Sequence, residues 1–241
     1  MATRPNNILI VTSFIWLLVS FWNRNDLPGR IDYVPEILAE PEQTATSERP
    51  FYATVNDVQY LVEPEYAYDL TGMVVSYRRH EGNSRMHMLA NDHINMMDVC
   101  VVWGDNTGSD LYAIDFWNGI FTCNVFTRDR EAWDSFDMDQ LSNNHLISDD
   151  DFIRKQVGKI RVGDQIRFRG YLASYSNDMG GRRGTSTTRT DTGDGACETV
   201  YVEYFRIVEP ATSLWRISMW TSLVLLLTGL VIHFRRPYKP Y

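Results

Sequence analysis

The stretch Gln165–Tyr175, QIRFRGYLASY, decides the fold class. Ile166, Phe168 and Leu172 fall on one face, and Gln165, Arg167, Arg169 and Tyr171 on the other. That period of two is the mark of a half-buried β-strand. Working upstream, Gly163-Asp164 turns the chain into this strand, and a helix precedes the turn. Ile153, Val157 and Ile160 recur at i, i+4 and i+7 behind Ser148 and the run Asp149–Asp151, which supplies a cap and acids for the helix start. Downstream, Glu198–Val208 (ETVYVEYFRIV) begins with Val200 and Val202 on one face. It then shifts phase to Phe205 and Ile207, which predicts a bulge near Tyr204. Further back, Tyr68–Tyr77, Asp98–Trp103 and Gly119–Phe126 read as strands, the second stopped by Gly104-Asp105-Asn106. An additional strand is placed at Tyr52–Val62.

Three strands, one helix and two strands is an order that resembles the oligonucleotide/oligosaccharide-binding (OB) fold, over roughly Tyr68 to Val208. The resemblance implies a small five-strand barrel with one capping helix. It also implies that the loops Arg78–Met97 and Ser176–Cys197 frame any ligand. The expected fold class is therefore mainly β, an OB-like barrel flanked by N- and C-terminal transmembrane helices.

The two ends differ sharply from this middle. Of 241 residues, every one of the 31 acids lies between Asp26 and Glu209. Ile8–Trp22 carries no charge, and its 15 residues span about 22 Å as a helix against a hydrocarbon core of about 30 Å. Interfacial aromatics make up part of the difference. Ile217–Phe234 is a second uncharged run, closed by Arg235, Arg236 and Lys239. The expected layout is an N-terminal anchor (1–23), a Pro/Glu-rich linker (24–67), a β domain (68–210), and a C-terminal helix with basic tail (211–241). The basic tail places both termini in the cytoplasm of a bacterial cell and the middle outside the inner membrane. Whether the first segment is a cleaved signal peptide stays open, although no A-x-A-like site follows it. Five of the 23 cations lie outside residues 24–212, so the middle carries a net charge of −13. Such a domain is repelled by anionic headgroups and is not a general nucleic-acid binder.

Residues 185–198 (TSTTRTDTGDGACE) resemble a signature of the form S-S-L-T-R-x-D-T-G-x-G-A-C-E, associated with uncharacterised bacterial membrane-anchored proteins. Val101–Gly104 and Asn143–Ile147 resemble its other landmarks less closely, and Met179–Gly184 replaces its Trp-rich approach. The resemblance implies membrane placement and transfers no catalytic residue. Arg189, Asp191, Gly193, Gly195 and Glu198 mark this loop as a candidate binding face.

Three constellations are candidates for chemistry. Cys197, His145 and Arg206 resemble a sortase set, a thiol attacked into action by a base beside an oxyanion-stabilising guanidinium. Against this, Cys197 follows a Gly-rich turn, and His145 reads as a partly buried residue at a helix end. Met86, His87, Met88, His93, Met96 and Met97 offer soft ligands suited to Cu(I). Cys100 and Cys123 lie on adjacent predicted strands and can pair in an oxidising compartment, leaving one free thiol. No motif implies a cofactor. The leading expectation is a non-enzymatic binding or scaffold protein held by two helices in the bilayer and contacting another membrane or envelope protein. A thiol enzyme and a copper-binding protein are the alternatives, and self-association stays open.

Overall fold

The computed structural model describes residues 5–80, 91–119, 121–188, 190–191 and 196–235. They form two units: the chain's two ends, up to Pro28 and from Thr212, and a β-rich unit, Gly29–Ala211. The strands are β1 (Glu42–Ala45), β2 (Phe51–Val55), β3 (Val58–Arg79), β4 (Asn95–Val102), β5 (Asp115–Asn118), β6 (Cys123–Phe126), β7 (Leu141–Ile147), β8 (Gln165–Asn177), β9 (Arg182–Arg183) and β10 (Glu198–Glu209). The α-helices are α1 (Pro5–Trp22), α2 (Arg130–Asp134), α3 (Asp151–Val157) and α4 (Leu214–Arg235).

The 22-residue β3 organises the β unit. Asn56 and Asp57, both at positive φ, make the tight two-residue turn that folds β2 onto its start. Along one edge β3 then bonds β2, β1 and β4 in turn, and along the other it bonds β8 over residues 60–73. β4 pairs with β7, β7 runs parallel to β10, and β10 pairs with β8. The ladder β3–β4–β7–β10–β8 thus leads back to β3. Val74, Val99, Val101, Leu146, Ile166, Phe168, Leu172, Val200 and Val202 are fully buried between these strands. Two glycines permit the close approaches. A Cβ on Gly170 would sit 1.9 Å from Tyr201 O, and one on Gly72 would meet Val101 Cγ1 at 2.3 Å.

Several sequence expectations hold. The register of β10 slips between Val202 and Tyr204, where the phase shift predicted a bulge. Ile153 and Val157 are buried on α3, the helix that precedes β8, and Ile160 is buried just beyond its end. Its cap is Asp150, whose carboxylate accepts from Phe152 N at 2.7 Å and Ile153 N at 3.1 Å. Ser148 instead donates to Val202 O inside the fold.

Others need correction. The third strand of the main sheet is β7, not Gly119–Phe126, whose residues contribute to a separate two-stranded hairpin, β5–β6. β7 was missed because its sequence, LSNNHLI, is polar on a strand that is buried on both faces, so hydropathy does not alternate. His145 accordingly lies mid-strand and fully buried, not at a helix end. Residues 42–67 are not a loose linker: they supply β1, β2 and the first half of β3.

In the other unit, α1 and α4 pack antiparallel. Asn6 Nδ2 donates to Gly229 O (3.1 Å), Ser20 Oγ to Ser218 Oγ (3.1 Å), and Arg216 Nε to Arg24 O (3.0 Å). The residues buried in the pair are Asn6, Ser13 and Ser20 on one helix and Ser222 and Gly229 on the other, each series spaced by seven. Small residues at the seam let backbones approach, while Phe14, Ile15, Leu18, Val224 and Leu227 stay about half exposed. Both helices are long and apolar enough to cross a membrane. The whole β unit is inserted, by connectivity, into the link between them.

Candidate functional site

Two rows of polar side chains cross one face of the sheet. The register aligns Ser76 with Cys100 and Cys100 with Asn143. The parallel ladder starting at Glu198–Asn144 puts Cys197 at the end of that row. Two residues along, Arg78, Asp98, His145 and Thr199 form the second row. Residues two apart on a strand share a face, so both rows look the same way.

The β5–β6 hairpin covers them. Asn118 accepts from Ser76 Oγ (2.6 Å) through its Oδ1 and donates to Asn143 Oδ1 (3.1 Å) through its Nδ2. Arg78 donates to Gly119 O (2.9 Å), and a disulfide joins Cys100 to Cys123 with the Cα atoms 5.8 Å apart. Cys197 Sγ accepts from Asn143 Nδ2 at 3.3 Å and donates to Phe121 O at 3.2 Å. Phe121 is held at positive φ and takes the Arg183 guanidinium over its ring, 4.2 Å from the centroid.

At the centre, the buried Asp98 carboxylate joins two imidazoles. One oxygen bonds His145 Nδ1, and the other lies 2.8 Å from His80 Nε2. His145 Nε2 is 2.6 Å from Arg183 Nη2. The partners fix the tautomer: a carboxylate only accepts and a guanidinium only donates, so Nδ1 carries the proton and Nε2 offers its lone pair. Burial lowers the His145 pKa, and the Arg183 and His80 charges add to that against the pull of Asp98. Burial pushes the Asp98 carboxyl up, but the hydrogen bonds and charges of His145 and His80 outweigh it, and it ends well below the usual carboxylate range. The Cys197 thiol is raised, by burial first and by the Glu198 and Asp98 charges, with Asn143 and Arg183 opposing.

Of the sortase-like set, Cys197 and His145 come to neighbouring rows, but Arg206 does not join them. It pairs with Arg167, seven residues beyond Thr199, about 23 Å along an extended strand. The guanidinium at the site is Arg183. Base and thiol are both engaged elsewhere, His145 with Arg183 and Cys197 with Asn143 and Phe121. Of the soft-ligand stretch, Met86, His87 and Met88 lie outside the described residues. Met96 and Met97 are 1% exposed within β4, which removes them from any surface copper loop. The backbone N–H of His93 donates to the Tyr60 hydroxyl. Among the described residues no group of three His, Cys, Asp or Glu side chains is arranged to hold a metal ion. Of the signature loop, Arg189, Gly193 and Gly195 lie outside the described residues. Asp191 accepts from Ser186 Oγ (2.6 Å), and Glu198 is buried at the start of β10.

Sequence reasoning missed Asp98 and Asn118 as site residues, and it did not connect His80, Asn143 or Arg183 with this centre. The available signal was an acid opening an otherwise apolar strand, DVCVVW, because a carboxylate in that place needs buried partners.

A separate groove of about 500 Å³ runs over β1, β3, β8 and β10, lined by Glu42, Asp69, Arg169, Tyr171, Glu203 and Tyr204 among others. Arg167 grips Asp69 through two bonds of 2.9 and 2.7 Å, and Arg169 stacks 4.5 Å over Tyr204.

The chain matches no known family model, and no curated protein is significantly similar to it. Its geometry has to carry the functional reading.

Proposed function

We propose that this chain is a membrane-anchored binding or scaffold protein that holds an OB-like barrel outside the bacterial cytoplasmic membrane and contacts another envelope protein. The observation that carries the reading is the insertion of one β unit between two antiparallel apolar helices. A domain fixed at both ends to one bilayer has restricted height and orientation, which suits short-range contacts along the membrane.

The barrel reading is supported by the pairing ladder that leads back to β3, by the parallel β7–β10 pair, and by α3 lying between β7 and β8 along the chain. The two helices fit membrane spans, and the cations from Arg235 onward favour a cytoplasmic C-terminus. The resemblance of residues 185–198 to a membrane-anchored family points the same way.

A contact face is available on the hairpin. Asp115, Trp117, Asn124 and Phe126 share its outer side, with Trp117 49% and Phe126 47% exposed. Exposed aromatics of this kind are enriched at protein contacts. A thiol-enzyme reading is weaker, because catalysis at neutral pH wants a lowered thiol pKa and a free base. The test is affinity purification of the full chain from mild detergent, with Trp117→Ala/Phe126→Ala as the control. A partner recovered repeatedly with wild type and lost with the double variant supports the proposal. Repeated recovery of the protein alone defeats it.

A further inference from the structure

Two of the chain's three cysteines flank one side chain, and the third is disulfide-bonded to one of the two. Asn143 sits in the first polar row between Cys100 on β4 and Cys197 at the start of β10. Adjacent strands lie about 4.8 Å apart, so Cys100 and Cys197 are about 10 Å apart across the sheet. The hairpin carrying Cys123 lies over this row. Asn118, the cross-strand neighbour of Cys123, bonds Asn143, and Phe121, two residues before Cys123, accepts from Cys197 Sγ at 3.2 Å. Cys123 is thus bonded to the Cys100 end of the row, while the chain two residues before it touches Cys197 at the other end.

The Asn143 amide is suited to both arrangements. Its Nδ2 donates to the Cys197 sulfur at 3.3 Å. Its Oδ1 lies 4.0 Å from Cys100 Sγ, which as a disulfide sulfur has no proton to give. A reduced Cys100 would find an acceptor already in place.

We propose that Cys123 has two disulfide partners, Cys100 in this structure and Cys197 in a second state reached by exchange within the fold. In the step, Cys197 gives its proton to solvent and its thiolate attacks Cys123 Sγ. The new S–S bond forms as the bond to Cys100 breaks. The electron pair leaves on Cys100, which takes a proton and turns to Asn143 Oδ1. One disulfide and one thiol remain, so no oxidant or reductant is consumed. The exchange moves the hairpin's staple from β4 to the residue that precedes β10, and with it the face carrying Trp117 and Phe126. Burial raises the Cys197 thiol, so thiolate supply limits the rate. The exchange therefore accelerates about tenfold per pH unit below that pKa.

The test uses the full chain in mild detergent. Wild type is held at pH 9 without added thiol, quenched with N-ethylmaleimide, digested with pepsin at acid pH and mapped unreduced. The expected result is a Cys123–Cys197 peptide accompanied by alkylated Cys100, growing with time and absent from Cys197→Ser. As a second arm, folded Cys100→Ser exposed to oxidised glutathione is expected to close the Cys123–Cys197 bridge. If that variant does not fold, the wild-type arm decides. Alkylation of Cys197 alone at every time point in wild type, or separate alkylation of Cys123 and Cys197 in folded Cys100→Ser, overturns the proposal.

Discussion

Replacing Asp98 by Asn probes the polar centre with almost no change of shape. The carboxylate is fully buried; one oxygen accepts from His145 Nδ1, and the other lies 2.8 Å from His80 Nε2. An amide keeps one acceptor and turns the other position into a donor. With the amide nitrogen towards His145 the buried Nδ1–H bond is lost, and in either orientation the charge beside both imidazoles goes, the charge that fixes the His145 tautomer on which the Arg183 contact depends. Charge-assisted bonds are worth about 1.5–3 kcal/mol and a stranded buried group costs about 1–3 kcal/mol more, so the expected loss is about 3–5 kcal/mol. For a domain of this size that corresponds to a melting temperature lower by about 6–20 °C. The assay is thermal unfolding of the full chain in detergent at pH 7.5, followed by near-UV circular dichroism. An Asp98→Asn variant that melts with the wild type would refute the view that this carboxylate organises the site.

Three further outcomes follow from the same structure. Acidification should destabilise the β unit. The folded His145 pKa lies below its unfolded value of 6.5, so its contribution is complete above that value and falls as pH drops from about 7 through the folded pKa. Asp98, also lowered in the fold, removes more stability below its unfolded value of 3.8; melting from about pH 7.5 to about pH 4 checks the first, and its continuation to about pH 2 checks the second. Gly170→Ala should cost at least about 1–3 kcal/mol, since its Cβ would lie 1.9 Å from the Tyr201 carbonyl oxygen and the backbone must shift; thermal unfolding reads the loss. Gly229→Leu should weaken the α1–α4 pair by about 1 kcal/mol or more, because even a Cβ there meets Ile10 at 2.9 Å; resistance of the full chain to unfolding by added SDS measures it.

How far the sequence carries depends on burial. Gln165–Tyr175 and Glu198–Val208 alternate because one face meets the core and the other meets water or a polar cover, so β8, β10 and even the bulge were legible. Apolar runs without charge made α1 and α4 equally plain. β7 was not legible, because Asn143 and His145 are buried polar residues with partners on β4, β5 and β9. Their polarity looks like a loop until the hairpin above them is known. For the same reason Cys197 and His145 could be named as candidates, yet Arg183 could not be chosen over Arg206. Arg206 sits in a predicted strand and Arg183 in the predicted loop Ser176–Cys197; the fold brings Arg183 to His145, while the register of β10 carries Arg206 away along the strand.

The central claim is that two apolar helices hold the acidic β unit on the far side of the membrane from both chain ends. Paired topology reporters test it most directly, with alkaline phosphatase, active only outside the cytoplasm, inserted after Met179 or fused after Tyr241. High activity after Met179 and none after Tyr241 is the predicted result. Equal activity at both positions, or activity only after Tyr241, would contradict it.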